Sequence, residues 1–292
     1  MGRENIIHYQ IEHEHETDLT KNQKDIEEIE TRFLRLHPEE KPTSEPTGRK
    51  TTEKKALLRS HSKHDNFPFT LGRDLTLEDY LHNNKFYVDS IKHNYADQIF
   101  DLNGKGQAPH TLWIGCSDSR AGESCLATLP GEVFTHRNIA NIVNANDLSS
   151  QGVIQFAVDV LKVKKIIVCG HTDCGGVWAS LSSKRIGGVL DLWLNPVRHI
   201  RAQNLKLLNE YNHDPKAKAK KLAELNVISS VLALKRHPSA SAALKKGQIE
   251  VWGMMYDVGT GYLTPVEIPT DEFEDLFLIH DDEPDEEDFN PH

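Results

Sequence analysis

The side chains best suited to chemistry lie in two short segments of this chain. The first, residues 116–120, reads Cys-Ser-Asp-Ser-Arg, and the second, residues 171–176, reads His-Thr-Asp-Cys-Gly-Gly. Zinc binds cysteine thiolates and histidine nitrogens, and a catalytic zinc site has three protein ligands and one open position. Cys116, His171 and Cys174 therefore predict a catalytic zinc site, with one metal ion per chain.

Zinc in such a site lowers the pKa of a coordinated water from about 15.7 to about 7, so hydroxide forms at neutral pH. His171 and Cys174 are three positions apart, so a single loop can present both. The third residue, Cys116, has to be contributed by a neighbouring strand or helix. The alternative is a pair of buried cysteines and an unrelated histidine. It does not explain why polar residues and glycines surround both segments.

Asp118 and Arg120 allow two interpretations. In the first, Arg120 pairs with Asp118 and keeps the carboxylate ionised and away from the metal. Asp118 then accepts a hydrogen bond from the zinc-bound hydroxide. In the second, Asp118 becomes the fourth metal ligand and closes the site. Both interpretations stay open at the level of the sequence.

The elements that must position these residues follow from the apolar pattern. Each segment comes directly after an apolar run, at 111–115 and at 166–170, and these runs predict two buried strands. Further elements are expected as helices over 149–162, 191–211 and 216–235 and a strand over 249–256. The alternation predicts an α/β fold with a mostly parallel central sheet flanked by helices. Because functional crevices lie beyond the carboxyl ends of parallel strands, we expect both segments there.

We expect three regions along the chain: an extension and linker at 1–64, a catalytic domain at 65–280 and an acidic tail at 281–292. The extension has apolar residues at helical spacing, and it is either a solvated, partly disordered arm or a helical arm that packs on a partner subunit. Within the domain, Thr76 and Asp79 predict the capped start of a helix.

Composition excludes several classes of protein. The chain has 292 residues and a net charge of −10, and residues 271–288 alone hold eleven acids. Without these acids the chain is close to neutral, so we expect no nucleic-acid partner. We also expect no membrane span and no secretory signal, which favours the cytoplasm. Four cysteines in such a chain do not make a disulfide framework.

Three motifs together resemble the β-class carbonic anhydrases, especially their cytosolic fungal members. They are CSDSR at 116–120, PGEVFTHRNIAN at 130–141 and GHTDCGG at 170–176. The resemblance implies reversible hydration of carbon dioxide to bicarbonate and a proton, by zinc-bound hydroxide. It also implies a homodimer or tetramer with active sites at the dimer interface, and a role in supplying bicarbonate for carboxylation and in carbon dioxide sensing.

The resemblance also assigns roles to individual residues. Cys116, His171 and Cys174 match the zinc ligands, and Asp118 and Arg120 match the catalytic pair. Substrate-binding positions are matched by Gln107, which reaches the substrate across the dimer interface, and by Phe134, Phe156 and Gly175. A non-catalytic bicarbonate site found in part of the family is matched by Trp113, Arg137 and Tyr256.

Two rival functions remain. One is hydrolysis of carbon disulfide or carbonyl sulfide on the same scaffold. The other is a non-catalytic protein that binds bicarbonate or zinc, although such a protein would be expected to lack Asp118, Arg120 or one of the ligands. A cysteine-based redox protein is disfavoured, because the chain has no Cys-x-x-Cys pair.

Overall fold

The computed structural model describes residue 71 and residues 74–271. The expected N-terminal arm and the acidic tail lie outside these residues. The chain divides into two units after Lys85, and every element below belongs to the second unit, except for the beginning of the first helix. The boundaries at residues 64 and 280 stay predictions.

The described residues form one five-stranded sheet. Its strands are β1 Thr111–Cys116, β2 Val133–Asn138, β3 Lys165–His171, β4 Glu250–Tyr256 and β5 Leu263–Val266. The order across the sheet is β2-β1-β3-β4-β5, in which the first four strands are parallel and β5 is antiparallel to β4. The predicted mostly parallel sheet is confirmed.

Strands β1 and β3 are buried along almost their whole length. Helices cover both faces of a parallel sheet, so its central strands are apolar on both sides, which is why these two runs predict strands so well. Strand β5 has no such pattern and was not predicted. It contains Pro265, which cannot donate a ladder hydrogen bond and is tolerated at a sheet edge.

Nine α-helices lie within the described residues. They are α1 Leu77–Tyr95, α2 Gln98–Asn103, α3 Leu148–Gln155, α4 Gly175–Leu181, α5 Val189–Trp193, α6 Asn195–Gln203, α7 Leu205–Asn209, α8 Pro215–Lys235 and α9 Pro238–Lys245. A π-helix, Phe156–Val160, continues α3, and 3₁₀ turns occupy Glu123–Leu126 and Ile139–Asn141. Thr76 and Asp79 make the predicted reciprocal cap: the Thr76 amide donates to Asp79 Oδ2 at 2.8 Å and the Asp79 amide to Thr76 Oγ1 at 3.4 Å.

One helix prediction needs correction, and one helix lay outside the predictions. The single helix expected over 191–211 is three short helices, because the chain turns at Leu194, just before Pro196, and again at Asn204. Helix α9 was not predicted at all. Its alanine-rich sequence carries little periodic signal, although three of its small residues are buried.

Helix α8 supports the central part of the sheet by packing against β3 and β4. Asp214 caps its N-terminus by accepting hydrogen bonds from two backbone amides. The side chains that it buries in the core are mostly aliphatic: Ala219, Leu222, Ala223, Val227, Val231 and Leu234. Two polar side chains of the same helix, Asn226 and Ser230, are also buried.

Candidate metal centre and active site

The three expected metal ligands come from two strand ends and one helix start. Cys116 is the last residue of β1 and His171 is the last residue of β3. These strands are adjacent and parallel, so their carboxyl ends meet at the same edge of the sheet. Cys174 follows after a two-residue turn and stands at the N-cap of α4. Within that turn Asp173 has a left-handed backbone, with φ of 58°.

The sulfur atoms of Cys116 and Cys174 and a ring nitrogen of His171 lie within 4.8 Å of one another, and all three residues are buried. The two Sγ atoms are 4.0 Å apart. Two sulfurs on one tetrahedral zinc, each about 2.3 Å from the metal, would be separated by about 3.8 Å. The spacing therefore suits zinc.

The hydrogen bonding of His171 leaves one nitrogen for a metal. Its Nδ1 lies 2.9 Å from the Thr172 carbonyl oxygen, and a carbonyl can only accept, so Nδ1 carries the hydrogen. Nε2 is buried and has no hydrogen-bond partner among the described residues. Buried polar atoms rarely lack a partner. Such an orphaned nitrogen between two thiols fits a metal ligand.

The electrostatics of the two thiols also fit a divalent cation. The hydrogen bond from Cys174 lowers the pKa of Cys116 to about 4, with help from His171. The ionised Cys116 and burial in turn raise the pKa of Cys174. Burial opposes protonation of His171, but the negative charge of the neighbouring Cys116 thiolate outweighs it and raises the pKa of that imidazole. The pair therefore holds one thiolate and one thiol, and ionisation of Cys174 as well would require an additional positive charge, which a metal ion would supply.

Backbone amides further stabilise the Cys116 thiolate. The amides of Asp118 and Ala140 each donate to Cys116 Sγ at 3.4 Å. Ala140 lies in the segment after β2, with φ of 62°. Asn226 of α8 donates to the Ala140 carbonyl at 2.7 Å and thereby fixes this segment. The sulfur environment thus depends on a helix remote from it in sequence.

Asp118 and Arg120 form a bidentate ion pair. Arg120 Nε donates to Asp118 Oδ1 at 3.0 Å and Nη2 donates to Oδ2 at 2.9 Å, while the Arg120 amide also donates to Oδ1 at 2.9 Å. These hydrogen bonds lower the pKa of Asp118 to about 2. Asp118 Oδ2 is 3.9 Å from His171 Nε2, so an ionised carboxylate borders the metal position.

Sequence reasoning did not single out two residues that complete this network. Asp173 Oδ2 accepts from Arg120 Nη1 at 3.0 Å, and the Asp173 carbonyl accepts from Nη2 at 3.1 Å. Trp178 Nε1 of α4 donates to the other carboxylate oxygen of Asp173 at 2.9 Å. For Asp173, the only signal in the sequence is that an acidic residue lies between the two expected ligands His171 and Cys174.

Comparison with known proteins shows the family of this chain. A family described as carbonic anhydrase matches residues 111–263. The chain is 71% identical to the carbonic anhydrase of Candida albicans over the full length of both proteins. A structure described as a tetrameric β-carbonic anhydrase of Sordaria macrospora matches with a TM-score of 0.62 and 40% identity, covering 66% of this chain and 97% of that one. The chain belongs to the β-carbonic anhydrases.

The carbonic anhydrase of Saccharomyces cerevisiae is 37% identical, over 68% of this chain and 92% of that protein. The protein is therefore an enzyme of carbon dioxide hydration, as the motifs predicted. Among the described residues of this carbonic anhydrase, no helix is long and apolar enough to cross a membrane.

The structure brings together part of the expected substrate pocket of the enzyme. The rings of Phe134 and Phe156 lie 5.8 Å apart, and Phe134 is on the same face of the sheet as Cys116. Gln107 is exposed in the connection between α2 and β1. Gly175 is also exposed, and a Cβ there would meet no atom within 4 Å, whereas one at Gly176 would lie 3.1 Å from Ala140. A side chain at position 176 would therefore need its neighbours to shift by a few tenths of an ångström, whereas position 175 has space for one.

The residues of the expected second bicarbonate site share the opposite face of the sheet. Trp113 is buried, and its Nε1 has no hydrogen-bond partner among the described residues. Tyr256 packs against the small cluster around Trp113. Arg137 instead donates to three carbonyl oxygens of the 116–121 segment, at 2.6–2.8 Å. It therefore braces the loop that carries Cys116, and its role in binding bicarbonate stays a prediction.

Proposed function

We propose that the enzyme hydrates carbon dioxide with one zinc ion per chain, held by Cys116, His171 and Cys174. The observation that carries this proposal is the orphaned, buried Nε2 of His171 beside two thiols 4.0 Å apart. When bound, zinc would act as a Lewis acid and lower the pKa of a coordinated water to about 7. The remaining chemistry is derived from the side chains around it.

Asp118 orients the attacking oxygen. It stays ionised throughout the physiological pH range, because Arg120 lowers its pKa to about 2. A permanent carboxylate accepts the hydrogen of the nucleophile and turns a lone pair toward the substrate carbon. Arg120 fixes that carboxylate through two parallel hydrogen bonds. Of the two interpretations of this pair, we therefore propose the one in which Asp118 serves the nucleophile.

Carbon dioxide is small and apolar, so its binding site needs an apolar surface that excludes water and only a few hydrogen-bond donors. Phe134 and Phe156 supply aromatic surface, and Phe156 is 42% exposed within one chain. Gln107 and Gly175 complete the proposed substrate contacts. Because an exposed phenylalanine and an exposed glutamine gain most from a second subunit, we propose that the active site lies at a homodimer interface.

The assembly is accordingly a homodimer or a tetramer of such dimers, as in the tetrameric Sordaria macrospora relative. We place the enzyme in the cytoplasm, where it supplies bicarbonate to carboxylation reactions and contributes to carbon dioxide sensing. The activity on which these roles rest is supported by the carbonic anhydrase of Candida albicans, which is 71% identical over the full length of both proteins.

The test is stopped-flow hydration of carbon dioxide together with zinc quantitation. The wild-type enzyme should hold about one zinc per chain and be active. Cys116→Ser should lose more than about 100-fold in activity, since a ligand matters at least as much as the groups that orient it. Cys125→Ser is the matched control, because Cys125 lies outside the metal group. A zinc-loaded wild type without hydration activity would falsify the proposal.

A further inference from the structure

Arg120 is bound on two sides. Its Nε and Nη2 donate to the carboxylate of Asp118, and its Nη1 and Nη2 donate to Asp173, at distances of 2.9–3.1 Å. The guanidinium has five N–H groups in a fixed fork, and four hydrogen bonds therefore nearly saturate it. Arg120 joins the loop after β1 to the loop after β3.

Asp173 is itself held in place from the other direction. Its left-handed backbone turns both the carbonyl and the carboxylate toward Arg120. Trp178 Nε1 donates to the remaining carboxylate oxygen at 2.9 Å, and the Trp178 ring packs against the hydrophobic core. A residue anchored in the core thus sets the position of Asp173.

This chain of contacts restricts where Asp118 can go. Its Oδ2 is the oxygen bonded to Arg120 Nη2, and the same oxygen is 3.9 Å from His171 Nε2. To become a metal ligand, the Asp118 carboxylate would have to take one of two routes. It would either break its hydrogen bonds to Arg120 or move together with Arg120. The second route would also break the hydrogen bonds by which Asp173 holds the guanidinium from the far side.

We propose that Asp173 and Trp178 are positioning residues for carbon dioxide hydration: they hold Arg120, and through it Asp118, in the orientation that serves the nucleophile. The inference rests on the proposed function of Asp118. Neither Asp173 nor Trp178 touches the reacting atoms. Their effect reaches catalysis through the pair formed by Asp118 and Arg120.

Two variants separate this role from a general loss of stability. Asp173→Asn removes the negative charge and replaces one of the two accepting oxygens, which face Arg120 and Trp178, by an N–H₂ group. Trp178→Phe keeps an aromatic ring but removes the indole N–H. The matched control is Asp191→Asn, because Asp191 makes a comparable 2.7 Å ion pair with Arg198, outside the metal group. Every variant is prepared as a zinc-loaded, full-length enzyme.

The first readout is the separation of kcat from KM. We expect Asp173→Asn to lower kcat about fivefold while KM changes less than about twofold, since it removes a charged hydrogen bond at a half-exposed site. Trp178→Phe should lower kcat in the same way but by less, and Asp173→Glu should recover part of the loss. Asp191→Asn should leave kcat unchanged.

The second readout does not depend on turnover. Amide hydrogen exchange of the holoenzyme, followed by mass spectrometry, should speed up about fivefold over residues 116–121 in Asp173→Asn and less in Trp178→Phe. The segment 165–171 serves as internal reference. The inference is wrong if both variants match the wild type within about twofold in kcat and exchange, or if Asp191→Asn shows the same losses.

The outcomes remain separable from those of the proposed function. If Asp173→Asn fails to retain zinc, the positioning role is judged from Trp178→Phe alone. This variant keeps the charge of Asp173 and the main chain of the loop. A wild type that holds zinc but does not hydrate carbon dioxide removes the proposed function. In that case the exchange data still show whether Asp173 and Trp178 hold Arg120.

Discussion

The described residues include two buried histidines, and their surroundings shift the two pKa values in opposite directions. His171 stands beside the Cys116 thiolate, and this negative charge outweighs burial and raises its pKa. For His237 burial dominates and lowers the pKa, although the Gln151 backbone and the charge of Asp159 act in the opposite direction. One side-chain type thus suits a proposed metal ligand or a neutral core residue according to its neighbours.

His237 gives the fold a pH-dependent contribution whose sign follows from this shift. The unfolded chain binds a proton at His237 below its ordinary pKa of about 6.5, whereas the folded chain does so only at lower pH. Between these two pKa values the unfolded state holds more protons, so stability falls as the pH decreases below about 6.5. Above that value His237 is neutral in both states.

We therefore expect His237→Gln to reduce the loss of stability between pH 7.5 and pH 5.5. The measurement is urea unfolding of the wild type and variant holoenzymes at both pH values. A constant penalty from altered packing cancels in the comparison. His213→Gln, at an exposed position, is the control and should follow the wild type. Parallel pH dependences for wild type and His237→Gln would contradict the assignment.

At the scale of elements, polar residues of α8 act on the metal centre through the segment after β2. Asn226 donates to the Ala140 carbonyl, and Ser230 donates to the Asn141 carbonyl and accepts from the Val143 amide. The Ala140 amide donates to Cys116 Sγ. A helix that mainly packs the core thus also positions a donor on a metal-binding sulfur.

Asn226→Ala should weaken both the fold and the metal site. It leaves the buried Ala140 carbonyl without its donor, which costs about 1–3 kcal/mol in the free energy of unfolding. Zinc affinity, measured by competition with a chelator, should fall as well, because Ala140 is free to move away from Cys116. Glu224→Ala on the same helix removes only a partly exposed pair with Lys221 and should change neither quantity appreciably. A loss of stability with unchanged zinc affinity would show that Asn226 does not influence the metal site.

The elements that sequence reasoning placed are those with strong local signals. The apolar runs before Cys116 and His171 predict strands, and their parallel arrangement puts the ligands at one edge. Helix α9 was not predicted because its alanine-rich sequence has little periodic signal, and strand β5 was not predicted because it is a short edge strand without a buried apolar run. The roles of Asp173, Trp178 and Asn226 were not predicted either, because their partners are set by a left-handed residue, a helix start and a long-range contact. Such contacts have no sequence periodicity.

At the scale of the whole molecule, a single chain exposes residues that the proposed active site needs. Gln107 is exposed, and Phe156 is 42% exposed although it contacts Phe134. A two-fold interface places the same patch of both subunits against each other, so one contact completes two sites. Under this arrangement Gln107 of one subunit serves the metal of its partner.

Mixed oligomers test that arrangement. Cys116→Ser removes a metal ligand and Gln107→Ala removes the proposed substrate donor, so each homogeneous variant should be nearly inactive. If Gln107 acts across the interface, a mixed oligomer contains sites with an intact metal from one subunit and an intact glutamine from the other. Co-expression in equal amounts with random pairing then restores about a quarter of wild-type activity. Stopped-flow assays on the co-purified oligomer measure this recovery. If Gln107 acts within its own subunit, no native site forms, and the mixture shows only about half the residual activity of Gln107→Ala.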